Sequence, residues 1–284
     1  MFFNDGTVLE GKEFGGGTAA DSDKLGGKAP EYYIQPRNLL DNSDFRNPVN
    51  QRGETSHSGK GYFIDRWKND HIDMTTEIHD GYVSFTNNSA SSRAAFTQNL
   101  IGDHIGKTYT IAVCDHDTGG VYCKSFVVPT ATESAQYLSG ADFGGSSFRP
   151  GVEKDGSLFV QVMTAIGETS NVEWVALYEG AYTAETLPPY SPKGYAAELA
   201  ECQRYYFTYG SLRLLLLHNV DGVDRGTFLF PTEMRIIPTL SYEITGDVGP
   251  QFTLEETTKQ GFSCYATGVT GCVQLVNCIA NADL

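Results

Sequence analysis

The run Tyr109-Thr110-Ile111-Ala112-Val113-Cys114-Asp115-His116-Asp117-Thr118-Gly119-Gly120-Val121-Tyr122-Cys123-Lys124-Ser125-Phe126-Val127-Val128 decides the fold class. Tyr109, Ile111 and Val113 fall on one side of an extended chain, with Thr110 and Ala112 on the other. This is the period of two that a half-buried strand requires. Asp117-Thr118-Gly119-Gly120 has the composition of a turn, and Val121 to Val128 returns as the partner strand. The alternation recurs on both sides of this hairpin. Leu158, Val160 and Val162 alternate with Phe159, Gln161 and Met163. Val172, Trp174 and Ala176 alternate with Glu173, Val175 and Leu177. Tyr82, Ser84 and Phe85 mark another short strand, and Ala94 to Leu100 a further one. Strands punctuated by turns, without long helical patterns between them, predict two stacked antiparallel sheets and exclude a parallel α/β sheet.

Composition agrees. Among 284 residues there are 31 Gly, 16 Tyr and 16 Phe, while only 19% are charged. Aromatic residues fit pleated faces and glycines fit turns. Twenty basic against 35 acidic residues leave a net charge of −15. That field repels phosphate backbones and anionic membrane surfaces, so no nucleic-acid partner is expected. No window approaches the roughly 18 apolar residues of a membrane span, so no membrane insertion is expected. Met1-Phe2-Phe3-Asn4-Asp5-Gly6 lacks the basic and apolar regions of a signal peptide, and a cytosolic site of synthesis is expected. The six cysteines are then expected as free thiols; Cys114 and Cys123 could face each other across the hairpin, but no C-x-x-C spacing occurs.

Four segments follow from the pattern. Residues 1–36 carry Gly15-Gly16-Gly17, Gly26-Gly27 and one small apolar cluster, Tyr32-Tyr33-Ile34, which predicts an extended attachment arm. Residues 37–182 read as the β-sandwich. Residues 183–194, with Pro188, Pro189, Pro192 and Gly194, read as a linker. Residues 195–284 read as a short helix followed by a small β domain. In the helix Tyr195, Leu199, Cys202 and Tyr206 share one face, and Ser191-Pro192 is its expected entry. Arg213-Leu214-Leu215-Leu216-Leu217 is apolar on both faces, which places it centrally in a sheet or at a subunit contact.

Catalytic motifs are missing. The chain contains no G-x-S-x-G, H-E-x-x-H or P-loop. Cys114-Asp115-His116-Asp117 is the densest run of reactive groups, but neighbours on a strand point to opposite faces. A solvated hairpin end accounts for it better than a catalytic or Ca²⁺ site, since the remaining ligands of a Ca²⁺ loop are not there. No metal or other cofactor is expected. Asp65-Arg66-Trp67 sets an aromatic ring beside charge. Either Trp67 is core, or it stacks on the apolar face of a sugar whose hydroxyls bond to acids and imidazoles. On the second reading Tyr62, Trp67, Tyr82, Asp115, His116, Asp117 and Tyr122 are the glycan-site candidates, with Phe63 beside them.

Four stretches together resemble tail-fibre and receptor-binding proteins of tailed bacteriophages and prophages. Asp23-Lys24-Leu25-Gly26-Gly27-Lys28-Ala29-Pro30-Glu31-Tyr32-Tyr33 is similar to an element near the start of such fibres. Asn38-Leu39-Leu40-Asp41-Asn42-Ser43-Asp44-Phe45 with Ile64-Asp65-Arg66-Trp67 resembles the opening of a carbohydrate-binding-module-like jelly roll, and Glu173 to Gly180 its last strand. Tyr195-Ala196-Ala197-Glu198-Leu199-Ala200-Glu201-Cys202-Gln203-Arg204-Tyr205-Tyr206 is similar to the helix that follows. Phe230-Pro231-Thr232-Glu233-Met234-Arg235 with Pro238-Thr239-Leu240 resembles a strand of the terminal domain, and Ala280 to Leu284 its closing end. The resemblance implies a non-enzymatic virion protein, a homotrimer, joined to other virion proteins through residues 1–36 and meeting a host cell-surface glycan. A head fibre, capsid decoration or baseplate component is the alternative, and a polysaccharide depolymerase a second one.

Overall fold

The computed structural model describes residues 36–130, 134–214, 223–245, 251–267 and 273–283. The attachment arm expected for residues 1–36 lies outside this range but for its last residue, and so do Leu215 to Leu217 and Cys272. In chain order the strands are β1 (Ser56–Ser58), β2 (Gly61–Tyr62), β3 (Lys68–Asn69), β4 (Met74–His79), β5 (Tyr82–Asn87), β6 (Ala94–Leu100), β7 (Thr108–Asp115), β8 (Val121–Val127), β9 (Gln136–Tyr137), β10 (Ala141–Phe143), β11 (Ser146–Val152), β12 (Leu158–Thr164) and β13 (Thr169–Glu179). A single helix, α1 (Tyr195–Cys202), follows among the described residues. Then come β14 (Tyr206–Leu214), β15 (Val223–Leu229), β16 (Thr239–Thr245), β17 (Gln251–Thr257), β18 (Gly261–Thr267) and β19 (Val273–Asn281). The described residues are all-β with one short helix.

Two antiparallel sheets form the sandwich. The first runs β1-β4-β5-β13-β7-β8 and the second β10-β11-β12-β6-β3-β2, with β9 also on β11. Pairing of β5 with β13 and of β6 with β12 nests the chain ends as a jelly roll does. Inside that wrap the chain closes as two hairpins, β7–β8 and β11–β12. Side chains facing inward from both sheets interdigitate. Trp67, Phe45, Phe85 and Phe96 lie at the centre, fully buried. The Trp67 and Phe96 rings stack 5.3 Å apart, and Phe45 meets Trp67 edge-on at 5.3 Å. Trp67 is therefore core, and its sugar-platform reading falls.

The outer face of the first sheet is covered over part of its length. Ala112, Cys114, Trp174, Ala176 and Tyr178 point outward from β7 and β13, yet are buried. Tyr182, Leu187 and Tyr190 from the Pro-rich stretch pack over them. Trp174 and Tyr190 stack at 4.2 Å with planes 5° apart. Residues 183–194 thus run along the sheet as a strap, because an apolar outer row needed cover.

Two three-stranded sheets, β14-β19-β16 and β15-β18-β17, make the C-terminal part. Met234, Phe262, Cys264, Leu275, Cys278 and Ala280 form its core. Among the described residues β14 pairs with β19 alone, so Arg213 and Leu214 lie at a sheet edge, while Leu215 to Leu217 of the expected stretch lie outside the described residues. The stretch Phe230 to Pro238 is not a strand. It is a loop pinned by the Met234 N–H to the Lys259 carbonyl (2.8 Å) and the Arg235 N–H to the Arg204 carbonyl (2.8 Å). Pro231 and Pro238 cannot donate to a sheet ladder, which is why the run does not extend one.

A buried polar knot joins this part to the sandwich. The Asp41 carboxylate receives Arg66 at 3.2 Å and Lys193 at 3.1 Å, and Lys193 also approaches Glu198 (3.6 Å) and Glu201 (3.7 Å) of α1. Asn42, buried and at φ 51°, donates to the Val49 and Asp65 carbonyls at 2.8 Å each. Its own N–H reaches the Glu198 carboxylate. Arg66, at φ 72°, lies 3.5 Å over the Tyr205 ring. Burial opposes charge on Asp41, but Arg66 and Lys193 outweigh it and hold its carboxyl below the ordinary value. Lys193 keeps the chain extended through Gly194 (φ −62°, ψ 143°), so the helix is capped there and not at Ser191. The helix also ends before Tyr206, which opens β14, and Tyr195 is half exposed. Of the expected face, Leu199 is half-buried and Cys202 buried on the helix, and Tyr206 is buried as the first residue of β14.

Beside the knot, Asp65 accepts the Gln51 N–H at 2.9 Å and lies 3.9 Å from Arg52, whose guanidinium pairs with Asp283. Burial, only partly offset by Gln51 and Arg52, pushes the Asp65 carboxyl up to about 6. An unfolded Asp titrates near 3.9, so between these values the folded chain keeps a proton that the unfolded chain releases. The stabilisation is complete below about pH 3.9 and is lost as pH rises through about 6. Urea unfolding of the native chain and Asp65→Asn across pH 4–7 should therefore show the native chain's stability, relative to the variant, falling by about 2–3 kcal/mol. A gap that does not change with pH would exclude Asp65 as the source.

Candidate functional site

The second sheet leaves its outer face open. Strand register places two cross-strand rows there. Tyr137, Gly151, Phe159 and Asn99 form one row across β9, β11, β12 and β6. Arg149, Gln161, Thr97 and Lys68 form the next, across β11, β12, β6 and β3. Directly opposed residues on one sheet face are near neighbours, so an aromatic row lies against a polar one. Tyr137, Phe159 and Asn99 of the first row and Gln161, Thr97 and Lys68 of the second line a groove of about 330 Å³, bounded also by Asp70 and Glu153.

The aromatic row depends on a glycine. A Cβ at Gly151 would fall 2.1 Å from Cζ of Phe159, so the ring lies flat across the strand where a side chain would otherwise stand. Tyr137 then meets Phe159 edge-on, at 5.7 Å and 86°. Tyr137 itself is 55% exposed. In the polar row, Gln161 is 5% exposed. Its Nε2 donates to Asp70 Oδ2 at 2.8 Å and to Thr97 Oγ1 at 3.0 Å. These bonds fix the amide's orientation, and its Oε1 has no hydrogen-bond partner. Asp70 also accepts the Ala95 N–H at 3.0 Å, and burial raises its carboxyl above the usual range. Both Asp70 oxygens thus already hold donors, an arrangement suited to orienting a neighbour rather than to delivering a proton.

The candidates named from sequence do not converge. Trp67 is inside the core, its Nε1 donating to the Asp41 carbonyl at 3.0 Å. Tyr62 faces the C-terminal part with Arg52 5.1 Å from its ring centre, and burial pushes its phenol up to about 12. Phe63 is buried in the sandwich core. Asp115 is taken up by its own hairpin turn: Thr118 Oγ1 donates to it at 2.7 Å and the Asp117 N–H at 3.3 Å. Tyr122 packs on the core side near Phe143 (6.3 Å), in an open cleft of about 560 Å³ between the edge strands β8 and β10.

Tyr82 and His116 do meet, on the outer face of the first sheet, with Asp117 engaged separately. Tyr82 is sandwiched between His79 (4.6 Å) and His116 (4.0 Å), with all three rings nearly parallel. A bulge in β13 between Val172 and Trp174 turns Glu173 toward His116, with Oε1 3.1 Å from Nδ1. Asp117 accepts both contacts of the Asn171 amide, at 2.9 and 3.2 Å. Both Tyr82 faces are covered, so the ring cannot act as a stacking platform. Nor do Cys114 and Cys123 face each other: Cys123 pairs with Ala112 and Cys114 with Val121. Both are free thiols, as are Cys202, Cys264 and Cys278. Burial and Glu173 push the Cys114 thiol up to about 11, away from the range of a nucleophile. Among the described residues no three His, Cys, Asp or Glu side chains are placed to hold a metal ion.

The groove residues Phe159 and Gln161 were visible in the sequence as the outward half of an alternation. Tyr137 lay in a Ser- and Gly-rich stretch with no periodicity, and β9 joins the face only through pairing with β11. Gly151→Ala should cost about 1–2 kcal/mol in thermal unfolding by displacing the Phe159 ring. In a Phe159→Ala background the same change should cost far less, because the two residues are coupled. Equal costs in both backgrounds would mean that the ring does not lie over Gly151.

Comparison of the chain with protein-family models, with curated proteins and with solved structures finds no match in any of the three. The groove therefore has to be interpreted from its own residues.

Proposed function

We propose that the chain is a virion adhesin of the tail-fibre or receptor-binding kind, which holds a host cell-surface glycan in the groove over the second sheet and breaks no bond. The observation that carries this reading is the pairing of an aromatic row, Tyr137 and Phe159 with Asn99 at its end, with a polar row at Gln161, Thr97 and Lys68. Sugars offer an apolar face beside a ring of hydroxyls, and this groove offers the complement of both. The ordered resemblance to phage fibres supports the virion setting, and a net charge of −15 suits a particle surface that must not adhere to acidic polymers.

A homotrimer is the assembly proposed, with residues 1–36 as the attachment to other virion proteins. Leu229 (72% exposed) and Ile237 (60%) in the C-terminal part are available to such contacts. A single site of millimolar affinity, about −4 kcal/mol, becomes useful when three act together.

A second reading is a structural component of head or baseplate. One observation favours it: the stretches that resemble phage fibres supply Asp41, Arg66 and Glu198 of the buried knot, which is scaffold and not a binding surface.

Labelled full-length protein should bind cells of a propagating host. The double variant Tyr137→Ala/Phe159→Ala should lose at least about tenfold in binding while keeping its melting temperature within a few degrees, since each ring contributes about 1 kcal/mol. Unaltered binding by that variant would move the site elsewhere. No binding to any propagating strain, together with gold label on the capsid alone, would favour the structural reading. Release of reducing ends from host polysaccharide would overturn both in favour of a depolymerase.

A further inference from the structure

We infer that the groove selects an acetamido sugar, a hexosamine residue carrying an N-acetyl group, over the parent hexose; this rests on the glycan reading above. Three features of different chemistry lie within reach of one small group. Gln161 is buried, and its amide nitrogen is held by Asp70 Oδ2 (2.8 Å) and Thr97 Oγ1 (3.0 Å), which leaves Oε1 as an acceptor without a donor. Oε1 is closed to solvent in the unliganded chain; a buried unpaired acceptor calls for an explanation, and a ligand donor entering from the groove that Gln161 lines, with a small shift of its cover, supplies one. One strand position away in the outward series, the perpendicular rings of Phe159 and Tyr137 form an apolar corner. A corner of this shape surrounds a methyl group from two sides and leaves the outer part of the rings to the sugar's apolar face. Lys68, opposite Thr97 in the same polar row, is donor-only and matches a carbonyl oxygen.

An acetamido group carries these elements together: an N–H for Gln161 Oε1, a methyl for the Phe159–Tyr137 corner and a carbonyl for Lys68. The dimensions are compatible. Residues two apart on a strand are about 6.8 Å apart. A methyl contact reaches about 3.8 Å and an N–H to oxygen bond about 2.9 Å, so one group spans both positions. A hexose hydroxyl could donate to Gln161 but would leave the apolar corner unfilled. A free amino sugar would bring an ammonium beside that corner, where burying its charge is unfavourable.

The test is saturation-transfer NMR and amide chemical-shift titration of the full-length chain with N-acetylglucosamine, N-acetylgalactosamine, glucosamine, glucose and galactose. The acetamido sugars should bind about tenfold more tightly than their parents and place their acetyl methyl protons nearest the protein. Gln161→Leu and Phe159→Ala should each remove most of that preference, with melting curves confirming that the variants fold. Equal affinity for glucose and N-acetylglucosamine, or an unchanged preference in folded Gln161→Leu, overturns the selectivity and leaves glycan binding standing. If no carbohydrate perturbs the groove and host-cell binding is also absent, the glycan reading itself falls.

Discussion

The Asp41 carboxylate, shared between Arg66 and Lys193, is the contact on which the rest of the described architecture turns. It ties the entry of the sandwich to the loop ahead of β3 and to the residue preceding α1. Buried charges tolerate removal from water only when paired, so each member constrains where the others can be. Arg66 is held at a positive φ, a conformation that a residue with a side chain adopts only under such constraint. Its guanidinium then covers Tyr205, and the Tyr205 carbonyl receives the Ala282 N–H at 2.7 Å. A chain of this kind makes the sandwich, the helix and the terminal sheets one compact unit from Asn38 to Leu284.

This arrangement gives the two sheets different outer faces. The first is occupied: a strap centred on Tyr190 covers one part, and the His79–Tyr82–His116 stack closes another. Among the described residues the second sheet has no such cover over its aromatic and polar rows. In the adhesive role proposed, the strapped face would supply rigidity and the groove face recognition. The same polar groups that would attract a catalytic reading, at Cys114 to Asp117, are engaged locally in a turn, a ring stack and a carboxylate contact.

Several features were legible without coordinates. The outward positions Phe159 and Gln161 follow from alternation, as do the strands from Ala94 to Leu100 and from Leu158 to Met163, because a period of two assigns residues to faces directly. The edge strand β9, the loop from Phe230 to Pro238 and the real ends of α1 were not legible. Each of these is set by partners distant in sequence: β11, Lys259 with Arg204, and Asp41 through Lys193. The seven candidate residues were chosen for chemistry suited to sugars, but that chemistry serves equally well inside a fold. Trp67 fills the core, and Asp115 closes a hairpin.

What could be had from the amino-acid order alone was the all-β class, the positions of most sheet-forming runs and the short helix after the prolines. These depend on local periodicity and on turn residues, which act over a few residues. Folding alone decided which outward face stays bare, which aromatics become core and that Gly151 makes room for a flat ring. Those outcomes depend on cross-strand register and on burial, and both arise only when segments far apart in the chain are brought together.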